Sequence, residues 1–526
     1  MTVNDNNPPQ FKPDRRHFLA ALAGVSLTSA TASRPLLAAE AKTTLAPSGK
    51  NDLVRVRVEM DVKGNVKVPE NPLVSRTSQV TVPIKSDVVF DYEERYRRPD
   101  GAAPTTDIKY AERFYHTAQS TSTLNREEST VQLRESVRQT IVRRETSPEV
   151  IYSSDDYFTH EELGLLRTPI CSVGIDQLLP TTPVAPGDKY RPTDAALISV
   201  LNLSGVDVNE VTAEIAEIAT DAATIEIKGN LDGSVEGVPT KLRLVGKLRF
   251  DREAGMCTWL AMAIHETREI GNAEPGFDVA ATIKLMRQPM DETVGLPKTP
   301  AKVAWNAPIP EDRLFVDLQS RHLGIGALMD RRWRMMSDVT GSAMMRLIEN
   351  DKSVAQCNFR SLARLKPGQQ WTLEAFEAET KRTIGKPFTQ MVEADQRLSA
   401  QGLRVLRLVA DGMVEGVPIR WISLHFSDDQ GRRVLATFTM SGNQVAAFAG
   451  TDAQLADSLR MLETESAKAV ATTASGSPQA PAGSLQGGGA DSLADPGQET
   501  PSIARLPRTK RSGSGNVEVQ SASDLR

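Results

Sequence analysis

The first part of the chain alternates apolar and charged positions with a period of two. Apolar residues from Val54 to Val62 are separated by arginine, glutamate and aspartate. Because successive side chains of a strand point to opposite faces, this pattern predicts a strand with one apolar and one charged face. Gly64-Asn65 predicts a turn after it, with Val66 opening the return strand. The same alternation around Phe90 predicts a further strand.

Two helices are predicted to interrupt these strands. Thr159 and Glu162 form a capping-box pattern ahead of three leucines, and Thr193 is suited to cap a second helix. The segment 131–141 fits both a strand with a polar interruption and a helix. Four long strands follow at 223–228, 240–250, 256–266 and 277–286, with turns predicted at Asp232-Gly233, 251–255 and Gly271-Asn272. Together these elements predict a curved antiparallel sheet wrapped over two helices.

The later part of the chain mixes helices and strands. Thr372 is suited to cap a helix that Gly385 closes, and a second capping box is predicted from Thr451 to Gln454. Strands are predicted at 403–411, 418–426 and 433–440, with a hairpin turn at 428–431. This region is therefore predicted to be a short antiparallel sheet with helices before and after it.

This later region resembles the PsbP-like α/β/α sandwich. The segment Gly416-Val417-Pro418-Ile419-Arg420-Trp421, the turn at Gly431 and the helix at Thr451 carry the resemblance, which spans about 150 residues. It implies a bias towards non-enzymatic accessory proteins and transfers no catalytic residue. The sequence Val-Glu-Gly-Val-Pro occurs at 235–239 and again at 414–418, which we interpret as two uses of one turn chemistry.

Prolines and composition divide the chain into parts. A proline-rich segment at 288–312 is predicted to be a linker between a β-rich domain at 50–287 and a smaller α+β, sandwich-like domain at 313–464. The overall fold class is thus predicted to be α+β. Residues 465–526 are dominated by Ala, Ser, Gly, Pro and Thr, which predicts a disordered tail. A basic cluster at 505–511 is either a solvated end or an electrostatic tether.

The N-terminal 41 residues have the pattern of an export signal. Arg15-Arg16 precedes Phe18-Leu19, an apolar run follows, and Ala39-Glu40-Ala41 fits a signal-peptidase cleavage site at Ala39 and Ala41. The arginine pair with Phe18 and Leu19 resembles a bacterial twin-arginine (Tat) signal peptide, although Asp14 and Ala20 depart from its usual residues. The resemblance implies transient contact with the Tat export machinery and a periplasmic, envelope or secreted location. An ordinary secretory signal and a retained N-terminal helix are the alternatives.

Composition excludes several classes of protein. The net charge of −5 argues against a general nucleic-acid binder. Three cysteines in 526 residues exclude a disulfide scaffold, although a bridge between Cys171 and Cys257 stays open. No stretch is long and apolar enough to predict a membrane span. A lipid anchor is not expected, because no cysteine precedes Cys171.

Local motifs for catalysis do not occur in the sequence. It lacks a helical zinc-protease motif, a nucleophile elbow and a phosphate-binding loop, so no catalytic, cofactor-binding or metal-ligating residue is predicted. His265-Glu266 ends a predicted strand, and the acids at 155–156 and 161–162 lack the spacing of a calcium loop. We interpret the basic doublets Arg97-Arg98, Arg143-Arg144 and Arg331-Arg332 as solvated strand faces or ends.

These observations favour a non-enzymatic exported protein that binds a partner or an envelope component. Two alternatives remain at this stage. A carrier would hold an apolar ligand in a cavity between the curved sheet and its helices. An enzyme would assemble its site from residues that are distant in sequence.

Overall fold

The structure is a computed structural model that describes residues 42–462, except 72–74, 99–107, 147, 168, 302, 304–306, 367 and 449. The predicted export signal (Arg15, Arg16, Phe18, Leu19, Ala39, Ala41) and the predicted tail at 465–526 lie outside the described residues. Within them the chain is β-rich, with antiparallel sheets and few helices. Helices therefore make up only a small share of the predicted α+β fold.

The largest sheet contains thirteen strands from the first part of the chain. Their bounds are β1 Leu53–Asn71, β2 Ser75–Arg97, β3 Tyr110–Leu124, β4 Glu127–Gln132, β5 Gln139–Arg143, β6 Val150–Ser153, β7 Lys189–Tyr190, β8 Gly205–Asn209, β9 Thr212–Ile218, β10 Ala222–Val235, β11 Val238–Asp251, β12 Met256–Arg268 and β13 Gly276–Pro289. The segment 131–141 resolves into the end of β4, a short 3-10 turn and β5.

The strand order of this sheet joins two meanders at its centre. It runs β6-β5-β3-β2-β1-β13-β12-β11-β10-β9-β7, with β4 added on β3 and β8 on β10. The first and last long strands are therefore neighbours, and their register pairs Val54 with Pro289 and Val66 with Phe277. The two ends of the sheet are the short strands β6 and β7.

Two turns predicted from glycines are wrong. Strand β1 continues through Gly64. A larger residue would collide with the neighbouring strand at this position, because its Cβ would lie 2.6 Å from the Val279 Cα. Strand β10 likewise continues through Asp232-Gly233, and the chain reverses at Glu236-Gly237. In both cases glycine permits close approach of two backbones rather than a turn.

The repeated Val-Glu-Gly-Val-Pro sequence forms the same hairpin turn twice. Glu236 and Gly237 have φ of 50° and 86°, and Glu415 and Gly416 have φ of 49° and 84°. Two successive residues with positive φ are the mark of the type I′ turn, which matches the twist of a two-stranded hairpin.

Three helical segments pack on one face of the large sheet. They are α1 His160–Leu166, the 3-10 helix Ser172–Leu178 and α2 Asp194–Leu201. Thr159 makes the predicted capping box with Glu162, and Thr193 accepts a hydrogen bond from the Ala196 amide. Leu163, Ile175 and Leu197 join the apolar residues of the strands in a single buried cluster. The apolar face of the sheet is therefore largely filled by these segments.

The later part of the chain forms two smaller antiparallel sheets. A three-stranded sheet has the order β14-β15-β23, and a seven-stranded sheet has the order β16-β17-β18-β22-β21-β20-β19. The strand bounds are β14 Phe315–Ser320, β15 Ile325–Asp330, β16 Trp333–Val339, β17 Ser342–Glu349, β18 Lys352–Leu362, β19 Phe388–Leu398, β20 Arg404–Val414, β21 Val417–Ser427, β22 Arg433–Ser441 and β23 Arg460–Met461.

Three helices accompany these sheets: α3 Leu373–Ile384, α4 Val445–Phe448 and α5 Thr451–Ser458. Thr372 caps α3 and Gly385 ends it, as the sequence predicts. The predicted capping box at Thr451 is wrong. Gly450 is the N-cap of α5, and the Thr451 hydroxyl donates to the Phe448 carbonyl instead. The hydroxyl is therefore not available to cap the helix.

The proline-rich segment after β13 is anchored to the large sheet. The Glu93 carboxylate accepts hydrogen bonds from the amides of Val294, Gly295 and Leu296 at 2.7–3.0 Å. Further along, the Ala301 amide donates to Glu112 over 3.1 Å. Burial would raise the pKa of Glu93, but the three amides and His116 lower it overall.

All three cysteines are free thiols and are buried. The bridge between Cys171 and Cys257 that the sequence left open is thus not formed. No helix among the described residues has the length and apolar character needed to cross a membrane.

Candidate functional site

A pocket of about 550 Å³ opens where the two ends of the large sheet come together. Glu149 leads into β6, and Tyr190 belongs to β7, so residues at both sheet edges line the same space. Helix α2 lies between these two edges, and its N-cap Thr193 and its residues Ala195 and Ser199 line the pocket. The remaining lining residues are Lys109, Arg144, Glu145, Thr146, Gln177, Leu179, Pro180, Thr181, Thr182, Arg191, Pro192, Ala196, Ile198, Asn202 and Ser204.

The inner wall of the pocket carries two buried charges. Arg144, directly after β5, has 6% of its side chain exposed and lies 3.6 Å from the Glu149 carboxylate, which is 10% exposed. The Arg144 guanidinium also donates to the Ile108 carbonyl at 2.8 Å and to the Ser199 hydroxyl. Both charges are thus held in fixed positions by several hydrogen bonds.

Behind Glu149 a buried polar network continues beneath the sheet. Arg113 on β3 lies 3.4 Å from Glu149 and donates to Glu94 on β2 over 2.7 Å. The Ser172 hydroxyl donates to Glu94 at 2.9 Å and accepts from the Tyr92 hydroxyl at 2.8 Å. Burial would lower the pKa of Arg113, but the surrounding Tyr115, Glu94 and Glu149 raise it overall. Arg113 is therefore a permanent cation between two carboxylates.

A second buried ion pair extends this network. Arg287 on β13 donates to Asp176 over 2.6 Å, and both side chains are at most 5% exposed. Asp176 also accepts a hydrogen bond from the Cys257 amide at 2.8 Å, and Arg287 donates to the Ser172 carbonyl at 3.2 Å. Ser172 thus connects the two ion pairs.

Cys171 lies within this network but is not activated as a nucleophile. Its thiol donates to Glu149 over 2.7 Å. Burial and the neighbouring Glu149 raise the pKa of Cys171 to about 12, so the thiol is protonated at neutral pH. A reactive cysteine requires the opposite shift of its pKa.

Two smaller cavities adjoin the pocket. Asn202 lines all three spaces, and Thr146 and Glu149 are shared by the pocket and a cavity of about 220 Å³ that also contacts Arg167 and Arg331. The third space, of about 100 Å³, is lined mainly by apolar residues, together with the charged residues Arg167, Glu236, Glu266 and Arg268. Its apolar walls are Leu201, Leu203, Val235, Leu242, Ile264, Val279 and Ala281.

We call the cavity of about 220 Å³ the middle cavity. Arg167 and Arg331 line it and form a cluster with the nearby Arg334. Glu236 pairs with both Arg167 and Arg334, and Arg334 also pairs with Glu274 at 3.2 Å. Burial and these arginines lower the pKa of His160, on α1, to about 4. His160 is therefore neutral at neutral pH, and its Nε2 has no hydrogen-bond partner among the described residues.

The structure changes the interpretation of the basic doublets. Arg143 and Arg144 are 4% and 9% exposed, so the prediction that they lie on solvated strand ends is wrong. Arg331 also points inward and donates to three backbone carbonyls. Arg143 and Arg144 are buried and Arg331 is half-buried because carbonyl or carboxylate oxygens satisfy them, which a doublet in the sequence does not reveal.

The acidic and histidine candidates have structural partners. Glu162 completes the capping box and accepts from Arg134 at 2.8 Å, and Asp156 accepts from Ser136. His265 is 54% exposed and contacts Asp278 at 2.9 Å. No group of three or more potential metal ligands occurs within the described part of the chain.

Comparisons with known proteins identify no family. No family model matches the chain, and no curated protein matches it. A lipovitellin structure is similar at 10% identity with a TM-score of 0.27, covering 48% of this chain, and the chain spans about a quarter of that protein (26%). The translocator domain of the autotransporter NalP from Neisseria meningitidis gives 7% identity over 74% of this chain and 87% of its own, with a TM-score of 0.11. TM-scores this low do not define a shared fold.

Proposed function

We propose that this chain is an exported bacterial protein that binds a small polar ligand without transforming it. The observation that carries the proposal is the pocket of about 550 Å³ with the buried Arg144–Glu149 pair in its wall. Ligand sites are typically concave, largely preformed and equipped with a few fixed polar groups. The hydroxyls of Thr181 and Thr182 on the pocket wall supply further hydrogen-bonding groups.

Local rigidity supports binding in this pocket. Arg144, Glu149 and Ser199 are positioned by hydrogen bonds to other protein groups before any ligand arrives. Fixed side chains lose little conformational entropy when a ligand binds, so more of the contact energy appears as affinity. The same hydrogen bonds leave these groups suited to orient a ligand rather than to transfer a proton.

A carrier of an apolar ligand is the second candidate. It is supported by the apolar cavity of about 100 Å³ that opens beside the polar pocket. A ligand with a polar head and an apolar end would fit that arrangement. An enzyme with a dispersed site receives less support, because burial and Glu149 raise the pKa of the Cys171 thiol beside the pocket to about 12.

The finer organisation of the molecule is part of the proposal. We infer that the large sheet is curved, because its two edges meet at one pocket. We infer a domain at 50–287, a linker at 288–312 and a PsbP-like domain at 313–464. Export through the Tat route, cleavage near Ala39 and Ala41, and an unidentified partner in the cell envelope complete the proposal.

Filling the pocket tests the binding function. Ala195 lies on α2 and is exposed to the pocket, so Ala195→Trp should block it without disturbing the core. Protein purified from its own cell envelope is denatured, and released small molecules are identified by mass spectrometry. We expect a stoichiometric polar compound from the wild type and from Ala378→Trp, a matched change on the exposed side of α3. Equal recovery from Ala195→Trp would overturn the proposal.

A separate experiment tests export. Arg15 and Arg16 are both replaced by lysine, which keeps the charge but removes the arginine pair. We expect an uncleaved precursor in the cytoplasm. Processing and export at the wild-type level would overturn the Tat assignment, and Lys42→Arg, just beyond the cleavage site, serves as the control substitution.

A further inference from the structure

The middle cavity contains an arginine whose charge is not paired. The Nε, Nη1 and Nη2 atoms of Arg331 donate to the carbonyls of Leu314, Ile151 and Arg313 at 2.9–3.1 Å. Among the described residues no carboxylate lies within ion-pair distance of it. A guanidinium has five N–H donors, so two remain for another partner. Arg331 therefore provides both unused charge and unused donors to the cavity.

The acids nearest to Arg331 are already engaged with other arginines. Asp330, the preceding residue, pairs with Arg332 at 3.0 Å. Glu149 on the cavity wall is shared between Arg113 and Arg144. Asp330 therefore compensates Arg331 only in part, and neither carboxylate forms an ion pair with it.

The cluster around the cavity also has an excess of positive charge. Arg167 and Arg334 share the carboxylates of Glu236 and Glu274, and Arg331 is a third arginine that pairs with neither. Burial lowers the pKa of Arg331 to about 10, and the neighbouring cations Arg167 and Arg334 lower it further against the opposing effect of Asp330. An anion in the cavity would relieve the repulsion between these cations.

We propose that this cavity binds a phosphate-type oxyanion between Arg331 and Arg167. The cavity volume of about 220 Å³ accommodates such a group, and Thr146 and Asn202 on its wall offer a hydroxyl and an amide. Two arginines provide the charge and the donor geometry that phosphate oxygens prefer. The oxyanion is either free phosphate or the phosphate of a larger ligand, because Thr146, Glu149 and Asn202 also line the large pocket.

Calorimetric titration of the full chain with inorganic phosphate, at constant ionic strength set by chloride, tests the proposal. We expect saturable binding at one site in the wild type. Arg331→Gln should weaken it about ten- to hundredfold, the effect of losing a charge-assisted hydrogen bond. Arg382→Gln is the matched control, because that arginine pairs with Glu379 on the exposed side of α3 and does not line the cavity, and it should bind like the wild type. No saturation, or equal binding by Arg331→Gln, overturns the proposal.

Two further measurements keep the test decisive if Arg331→Gln does not fold. Arg167→Gln should weaken phosphate binding to a similar degree. In the wild type, phosphate should raise the pKa of His160 from about 4, as followed by NMR of the imidazole, because the anion offsets the arginines that lower it. The exposed His322 should not respond. An unchanged His160 contradicts the proposal.

The source of the oxyanion is separated by a second probe, glycerol phosphate. If free phosphate is the ligand, Ala195→Trp leaves inorganic phosphate binding intact and glycerol phosphate binds no better than phosphate. If the group belongs to a larger ligand, glycerol phosphate binds more tightly and Ala195→Trp removes that advantage. If the large pocket proves to bind no polar ligand, inorganic phosphate should still bind in the middle cavity, and glycerol phosphate should bind no better.

Discussion

Glu94 and Arg113 are almost completely removed from water, with residue exposures of 0% and 4%. Charges in such surroundings are tolerable because each is paired and hydrogen-bonded, here through Ser172, Tyr92 and Glu149. The network therefore constrains its members strongly, since the loss of one partner leaves the opposite charge buried without compensation.

This constraint predicts the effect of Arg113→Met. The substitution keeps much of the side-chain volume but leaves Glu94 without its cation, and we expect the free energy of unfolding to fall by about 3–5 kcal/mol. Arg57→Met, which removes a half-exposed pair with Glu59, should cost at most about 1 kcal/mol. Denaturant unfolding at neutral pH measures both. Equal effects of the two substitutions would contradict the role given to the network.

The free energy of unfolding should also depend on the protonation of the buried residue His425. Burial, with Arg433 and Arg404 nearby, lowers the pKa of His425 to about 4 from an ordinary value of 6.5. Neither ring nitrogen has a hydrogen-bond partner among the described residues. The unfolded chain binds the proton more readily, so acid favours unfolding. The stability that depends on neutral His425 is fully present above pH 6.5 and is lost as the pH falls towards 4.

We expect this group to remove about 3 kcal/mol of stability by pH 4. His425→Phe should reduce the slope of the unfolding free energy against pH between 6.5 and 4 by about half, because His160, whose pKa is also lowered to about 4, accounts for the rest, whereas the exposed His322→Phe should leave the slope unchanged. Chemical unfolding across this pH range provides the measurement. An undiminished slope in His425→Phe would contradict the contribution given to His425.

At the level of the elements, the predictable features depend on short stretches of sequence. The capping residues Thr159, Thr193 and Thr372 act within three residues of their own position, so their helices could be predicted. Gly64 could not be assigned to a strand interior, because the reason for a glycine there is the backbone of β13, more than 200 residues later.

Replacing glycines in two elements tests that explanation. Gly64→Ala would place a methyl group against the Asp278–Val279 backbone, and overpacking of this kind costs about 1–3 kcal/mol. Gly164→Ala adds the same methyl group on α1 where no atom lies within 4 Å, and it should be neutral or stabilise by up to about 1 kcal/mol. Thermal unfolding distinguishes the two. A harmless Gly64→Ala would mean that β1 and β13 can separate there.

The candidate site could not be predicted for the same physical reason. Glu94, Arg113 and Glu149 come from β2, β3 and the connection before β6, and nothing in their local sequence differs from a solvated strand face. Only the sheet order brings them under the 3-10 helix that contains Ser172. The signal available in the sequence was the high density of arginines and glutamates on strands that are otherwise apolar.

At the scale of the whole molecule, the segment between the sheets is held by a few charged contacts. Glu93 accepts three consecutive amides from 294–296, and Arg95 donates to the Pro297 carbonyl at 2.7 Å. The neighbouring Lys298 is exposed. Cleavage at Lys298 therefore requires the segment to leave the sheet first.

We expect Glu93→Gln to accelerate tryptic cleavage after Lys298 about ten- to hundredfold, since the carboxylate loses its charge and one acceptor. Glu59→Gln, on the surface of the adjacent strand β1, should leave the rate unchanged. Gel analysis of a digestion time course measures both rates. Rapid cleavage of the wild type would instead indicate that the segment behaves as the loose linker predicted from its prolines.

The pairing of β1 with β13 also has a consequence for the time course of synthesis. The strands β2 to β6 pair with strands that are close in sequence. One edge of β1 stays unpaired until residues 276–289 have been synthesised. Ribosomes add about 5–20 residues per second, so the wait is roughly 10–40 seconds. Such non-local pairing raises contact order and slows folding. During that interval β1 exposes an unpaired edge, which makes the nascent chain a client for chaperones before the sheet is complete.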